Sequence, residues 1–197
     1  AEQGYHDAQY NLGQMQLEGR GGPVMMEAAR CWFEKAAEAE HGSGSEAQFE
    51  LAYMHSHGQG GLTVSKEKAR FWYEKSACQE GSRCAESQNN LGLLYAKGLG
   101  GPKSVEHAMF WYGRAAKQGY KRSVYEHKAL ESICFWCGES CETVWRCSLC
   151  RCANYCRKEC QKAAWEDGHK TTCKSIRRLI LNDCMHCCNN AYVHVRC

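Results

Sequence analysis

Residues 47–77 run A-Q-F-E-L-A-Y-M-H-S-H-G-Q-G-G-L-T-V-S-K-E-K-A-R-F-W-Y-E-K-S-A. The first twelve predict a helix that stops at Gly58, where a glycine can adopt the positive φ of a helix C-terminus. G-Q-G-G (58–61) is then a tight reversal, and K-E-K-A-R-F-W-Y-E-K-S-A-C (66–78) predicts a second helix folding back on the first. Its Ala69, Trp72, Tyr73 and Ser76 fall at i, i+3, i+4 and i+7, which puts small residues and rings on one stripe.

Working outward in both directions, the same unit recurs at offsets of 39 or 40: Leu12, Leu51 and Leu91; Gly19, Gly58 and Gly98; Trp32, Trp72 and Trp111. The flanking copies carry Ala29, Trp32, Phe33 and Ala36, and Ala108, Trp111, Tyr112 and Ala115. Small residues allow close helix approach, and each ring can bury roughly 150–250 Å². One hairpin therefore exposes an apolar face that only the next can cover, and stacking into a solenoid follows. Helical spacing assigns the rings to packing. His55 and His57 flank a glycine loop with no Cys or acid at ligand spacing and are read as loop residues.

The pattern L-G-x-x-Y/M, G-x-G-G, A-x-x-W-Y-x-K-A-A is similar to the Sel1-like subclass of the tetratricopeptide repeat. Such families act as scaffolds, which the resemblance implies. The expected repeat region is 1–122, with three complete units between residues 8 and 119. A-E-Q-G-Y (1–5) matches A-K-Q-G-Y (116–120) and reads as the tail of an earlier unit, so the parent protein is expected to extend further towards its N-terminus. After Ser123 the pattern fails, with His127 in the place of Leu12, and 123–133 reads as a capping or connecting helix.

The composition agrees with a folded chain. The 197 residues are 44% hydrophobic and 24% charged, with Gly 19 and Pro 2, and no apolar run reaches the length of a membrane helix. A formal charge of +3 is below what a dedicated nucleic-acid binder carries. Cysteine is distributed very unevenly: Cys31, Cys78 and Cys84 precede residue 134, and 13 of the 16 follow within the last 64 positions. C-x-x-C pairs with a well-placed His indicate metal ligation, not disulfides, and thiolate–zinc sites belong to a reducing compartment, cytoplasmic or nuclear.

From 134 the candidate ligands are Cys134, Cys137, Cys147, Cys150, Cys156, Cys160, His169 and Cys173. Eight ligands make two tetrahedral zinc sites with no position open for a reacting molecule, so the zinc is expected to be structural. Cys156 and Cys160, like His169 and Cys173, are four apart, which predicts that each pair shares one face of a short helix. Spacing permits either a sequential or an interleaved pairing. Cys141 and Cys152 fit no ligand slot and read as a loop residue and a packing residue.

A RING finger needs a His between the second and third pairs, and a PHD finger a His in the fifth position; neither matches. The run C-x-x-C, C-S-L-C, N-Y-C-R-K-E-C-Q-K-A-A-W, H-K-T-T-C closely resembles the MYND zinc finger over 134–173. That resemblance implies an interleaved pairing: Cys134, Cys137, Cys156 and Cys160 on one zinc, Cys147, Cys150, His169 and Cys173 on the other. Members commonly have seven residues between the sixth Cys and the His, whereas this chain has eight, and a bulge is expected at Gly168. In members that bind short proline-rich peptides, the contacting positions correspond to Ser148, Gln161 and Trp165.

A zinc-stapled unit of this size has little core and no room for a catalytic cleft. Within 134–173 six Lys or Arg face five acids, and seven thiolates outweigh two zinc ions by three charges. Nucleic acid is therefore not the expected partner, although Lys174, Arg177 and Arg178 form a short positive stripe. In the tail, 174–197, Cys184, Cys187, Cys188, His194 and Cys197 could make a third site in a spacing that resembles no known family. The expectation is an all-α helix-hairpin solenoid followed by a two-zinc MYND-type finger, acting as a protein–protein adaptor for proline-containing peptides, without catalysis and without a membrane span. Two alternatives are a substrate-targeting subunit of a ubiquitin-ligase complex and a transcriptional corepressor-type factor.

Overall fold

The computed structural model describes residues 2–39, 43–79 and 84–189, with side chains over 5–39, 43–79 and 84–181. Seven helices come first: α1 (Glu2–Glu18), α2 (Met26–Ala36), α3 (Ser43–His57), α4 (Lys66–Ala77), α5 (Cys84–Lys97), α6 (Val105–Lys117) and α7 (Lys121–Glu131). Two short strands follow, β1 (Trp145–Arg146) and β2 (Asn154–Tyr155), then α8 (Lys158–Ala164), a π-helical turn (Trp165–His169) and α9 (Lys170–Asn189). The chain forms two compact units, Ala1–His127 and Lys128–Cys197, so α7 contributes to both.

Within the first unit the helices pair as α1–α2, α3–α4 and α5–α6, and successive pairs stack through α2 on α3 and α4 on α5. The stripe read from the sequence forms the core: Ala29, Phe33, Ala36, Ala69, Tyr73, Ser76, Ala108, Trp111, Tyr112 and Ala115 are all buried. The tryptophans differ among themselves. Trp111 is buried, but Trp32 and Trp72 are half-buried, with the ammonium of Lys35 4.2 Å above one ring and that of Lys75 5.1 Å from the other. The ring at the next position holds the centre of each stripe because a small residue on the facing helix admits it. A Cβ on Gly13 would lie 2.7 Å from the Phe33 ring, and one on Gly92 2.8 Å from that of Tyr112.

Ser65 and Ser104 cap α4 and α6 by accepting from the N–H of Lys68 (3.2 Å) and His107 (3.3 Å). Between units runs a buried glutamine ladder that hydrophobic periodicity does not reveal. Gln48 Nε2 donates to the Ala37 carbonyl (3.0 Å) and Gln88 Nε2 to that of Ala77 (3.1 Å), so each satisfies an orphan carbonyl at the end of the preceding second helix. Their Oε1 atoms accept from Gln79 (3.2 Å) and Gln118 (2.8 Å). The glycine loops join the same interface: a Cβ on Gly60 would be 2.9 Å from the Met26 carbonyl, and one on Gly100 would overlap that of Lys66.

Two boundaries differ from the sequence reading. α1 begins at Glu2, ahead of residue 8 where the first complete unit was read: Gly119 ends α6 with φ 80°, whereas Gly4 stands within a helix. The helix after the repeats starts at Lys121 instead of 123. In the C-terminal unit, β1 and β2 form an antiparallel ribbon with Trp145 opposite Tyr155 and Arg146 opposite Asn154. The candidate third metal site lies outside the described residues: the side chains of Cys184, Cys187 and Cys188 and the whole of His194 and Cys197 fall there.

Candidate metal centre

The ribbon organises the eight candidate ligands. Cys147 follows β1 directly, and its N–H donates to the Ala153 carbonyl (2.8 Å), which folds 147–153 into a knuckle at the ribbon's tip. Cys134 begins a second knuckle, closed by Gly138 N–H to Cys134 O (2.8 Å). Each C-x-x-C is followed by a residue of positive φ, Gly138 at 75° and Arg151 at 56°, so both knuckles turn their sulfurs inward in the same way.

Phe135 N–H donates to the Asn154 carbonyl (2.9 Å), which lays the first knuckle beside β2 and so beside Cys156. The pairing is consequently interleaved. Cys134, Cys137, Cys156 and Cys160 form one cluster and Cys147, Cys150, His169 and Cys173 the other, with ligand atoms in each all within 4.8 Å of one another.

The two later pairs are built differently from the single-helix expectation. Cys156 precedes α8, because Arg157 at the position before the helix is extended (φ −158°, ψ 165°); only Cys160 lies on it. His169 ends the π-helical turn, and Cys173 sits one turn further on, in α9. Gly168 takes φ 124° inside that turn, a conformation open to glycine and strained for other residues. The additional residue is thereby absorbed, and the His169 imidazole is buried with Nε2 3.8 Å from Cys150 Sγ. Tyr155, edge-on at 5.8 Å, and Trp165, tilted at 5.9 Å, flank that ring and fix its plane.

The donor set fits zinc. Zinc–thiolate bonds of about 2.3 Å in tetrahedral array place sulfurs about 3.8 Å apart. The spacings are 3.8 Å for Cys137–Cys156, 3.6 Å for Cys156–Cys160 and 3.9 Å for Cys147–Cys173. Electrostatics point the same way. Burial pushes the Cys134 thiol up, but the backbone N–H groups of Cys137, Cys156 and Trp136 together outweigh it and bring it to about 6. Cys147, raised by burial, is likewise brought to about 7 by the Cys150 N–H and by His169. Cys150 and Cys173 stay raised, by burial first and then by the charge of Cys147. Three or four thiols crowded this closely can all ionise only around a cation.

Protection of the two clusters is unequal. All four ligands of the second are buried, whereas in the first Cys137 is exposed and Cys156 half-exposed. The ribbon also receives the end of α7: buried Asn154 donates through Nδ2 to the carbonyls of Leu130 (3.2 Å) and Glu131 (2.9 Å), and Arg146 pairs with Glu131 at 2.8 Å. Cys141 is half-buried in the loop and Cys152 buried, outside both clusters.

Of the remaining candidate site residues, Ser148 is exposed, Gln161 half-buried and Trp165 37% exposed. Three further exposed apolar side chains escaped the motif reading: Trp136, Trp145 and Leu149. Trp145 and Leu149 bracket Ser148 within five residues, and this local pairing of large apolar residues with a ligand knuckle is the signal that could have found them.

Fold and clusters together define a class: a helical repeat protein joined to a small module stapled by two zinc ions. More specifically, the chain belongs to the Sel1 repeat family, whose model matches residues 6–41, 45–80 and 85–120, and a MYND finger matches 134–173. Both are protein-interaction modules. Among solved structures, it is similar to a Sel1 repeat protein from Oxalobacter formigenes (29% identity, TM-score 0.55), over 63% of this chain and 88% of that one. A protective antigen of uropathogenic Escherichia coli displaying an SLR fold is similar at 31% identity and TM-score 0.59, over 67% of this chain and 27% of that one.

Curated relatives match over shorter stretches. The human histone-lysine N-methyltransferase SMYD3 is 47% identical over 45 residues, 23% of this chain and 10% of that protein. Human SMYD1 is 35% identical over 63 residues, 32% of this chain and 12% of that protein. The chain thus spans about a tenth of the length of these relatives.

Proposed function

We propose that the protein is a non-catalytic adaptor, in which the repeats serve as a scaffold and the finger, its ligands carried by Cys134, Cys137, Cys156, Cys160, Cys147, Cys150, His169 and Cys173, binds short proline-containing peptides at Ser148, Gln161 and Trp165. The observation that carries this reading is Trp165: its ring rests against the ligand His169 and still exposes 37% of its surface. A side chain so placed has its orientation set by a metal site and presents a flat apolar face outward, which suits proline. Gln161, one residue beyond Cys160, offers an amide that can both donate and accept to an extended backbone. Both metal clusters use their full complement of four protein donors, which supports a structural role for the zinc.

The test is a proline-peptide array probed with the full chain. Binding is expected to disappear when the prolines become alanine, and to weaken at least roughly tenfold in Trp165→Ala and Gln161→Ala proteins that keep two zinc equivalents, as loss of a central interface anchor would. Binding that survives all of these changes refutes the peptide site at Ser148, Gln161 and Trp165.

A further inference from the structure

The two metal clusters differ in access, the property that governs sulfur chemistry at a metal site. All four donors of the second cluster are buried. In the first, Cys134 and Cys160 are 0% and 2% exposed, whereas Cys137 is exposed and Cys156 half-exposed. The two accessible sulfurs are also neighbours, with Cys137 Sγ 3.8 Å from Cys156 Sγ. A cysteine that ligates zinc does so as its thiolate, and a thiolate within reach of solvent is the form that peroxides oxidise.

The backbone separates the same two residues from their companions. Cys134 Sγ accepts from the N–H groups of Cys137, Cys156 and Trp136, and Cys160 lies within α8, so both are held in place. Cys137 leads into the turn at Gly138, and Cys156 stands ahead of α8, next to the extended Arg157; neither is fixed in a helix. Exposed Cys31 and Cys78 belong to neither cluster, so their oxidation leaves the metal donors intact.

We infer that Cys137 and Cys156 form a reversible oxidation site for hydroperoxides. The Cys137 thiolate attacks the terminal peroxide oxygen; the O–O bond breaks, the alkoxide leaves and takes a proton from water, and Cys137 becomes a sulfenic acid. The Cys156 thiolate then attacks the Cys137 sulfur, the S–O bond breaks, and the departing hydroxide gains a proton to become water. Two electrons pass from the sulfurs to the peroxide, and two thiolates become one disulfide. With two of its four donors spent, the first cluster no longer holds its ion. The new bond joins the first knuckle to the residue after β2, the same two segments that the Phe135–Asn154 hydrogen bond brings together. It therefore takes over the metal's task of stapling them, which leaves the thiols placed to rebind zinc once a thiol reductant opens the disulfide.

The experiment treats the full chain, loaded with two zinc equivalents, with hydrogen peroxide. A chromogenic chelator reads the released zinc, and mass spectrometry after alkylation maps the cross-links. One equivalent is expected to leave as a Cys137–Cys156 cross-link forms, while the second cluster keeps its zinc; a thiol reductant and added zinc then restore two equivalents. Cys137→His offers the metal an imidazole in place of the attacked sulfur, and release is expected to slow roughly tenfold or more. Cys156→His is expected to stop at the sulfenic acid, trapped on Cys137 by dimedone. Release of both equivalents together, no release, a dominant Cys134–Cys137 cross-link, or a product that no reductant reverses overturns the inference. So does an unchanged rate in zinc-loaded Cys137→His, or a dimedone label absent from Cys137 in zinc-loaded Cys156→His. If either variant fails to bind two equivalents, the cross-link map and the reversal in the native chain decide the question alone.

Discussion

Gln88 is fully buried, and both ends of its amide are used, Nε2 on the Ala77 carbonyl and Oε1 under Gln118. Replacing it with Met keeps the volume and removes both amide hydrogen bonds, leaving the buried Ala77 carbonyl only the weak Cys84 Sγ donor at 3.7 Å, at a cost of about 1–3 kcal/mol. Urea unfolding of Gln88→Met should show that loss, and the exposed Gln118→Met should show less. His107 acts through its charge. Its ring stacks on Tyr95 at 4.7 Å and shares a 2.9 Å hydrogen bond with Ser104, and burial lowers it below its ordinary 6.5, Glu106 pulling it partly back and Arg70 pushing it further down. With the folded value below the unfolded one, its contribution is complete above pH 6.5 and lost as the pH falls through the lowered value. Between pH 7.5 and 5.5 the urea midpoint of the native protein should therefore drop further than that of His107→Gln, a difference that cancels any acid effect on zinc common to both.

Among the elements, the helices and the glycines that end the first helix of each pair were legible because Leu, Gly and the ring pair recur at fixed offsets. The ladder was not, since a buried glutamine reads as polar surface until the carbonyl it satisfies is known. Ligand pairing was also beyond spacing. It depends on the Phe135–Asn154 hydrogen bond that sets the first knuckle beside β2, a contact across 19 residues. Gly168 shows the reverse case: one residue more than the family spacing announced a bulge, and the π-helical turn is there. Gly168→Val should tilt His169 away from Cys150, because a β-branched residue at φ 124° forces the turn to rearrange. Competition titration with a chromogenic chelator should find one site weakened roughly tenfold or more, the scale on which groups that orient a ligand act, and the other unchanged. The native clusters should differ too. Attack on a thiolate requires access, so the cluster containing exposed Cys137 should release its zinc before the fully buried one, giving two separated phases of one equivalent each.

At the scale of the whole chain, the two units draw their stability from different sources, and this makes them separable. Residues 1–127 carry a continuous apolar core of stacked helices, which needs no metal. The described residues of the second unit, 128–189, hold the end of α7, a two-stranded ribbon of two residues each, seven-residue α8, a π-helical turn and α9 around seven thiols and one imidazole; the ribbon, α8 and the two knuckles, with so little apolar filling, depend on their ions for folding. Excess chelator at neutral pH should therefore abolish the protected amides of β1, β2 and α8 while leaving those of α3 to α6 exchanging as before. Readdition of two zinc equivalents should restore the first set alone. Simultaneous loss of protection in α3 to α6 would mean that the repeats are held by the metal, contrary to a core in which Ala29, Phe33, Leu51, Tyr73, Leu91 and Trp111 are all closed from solvent.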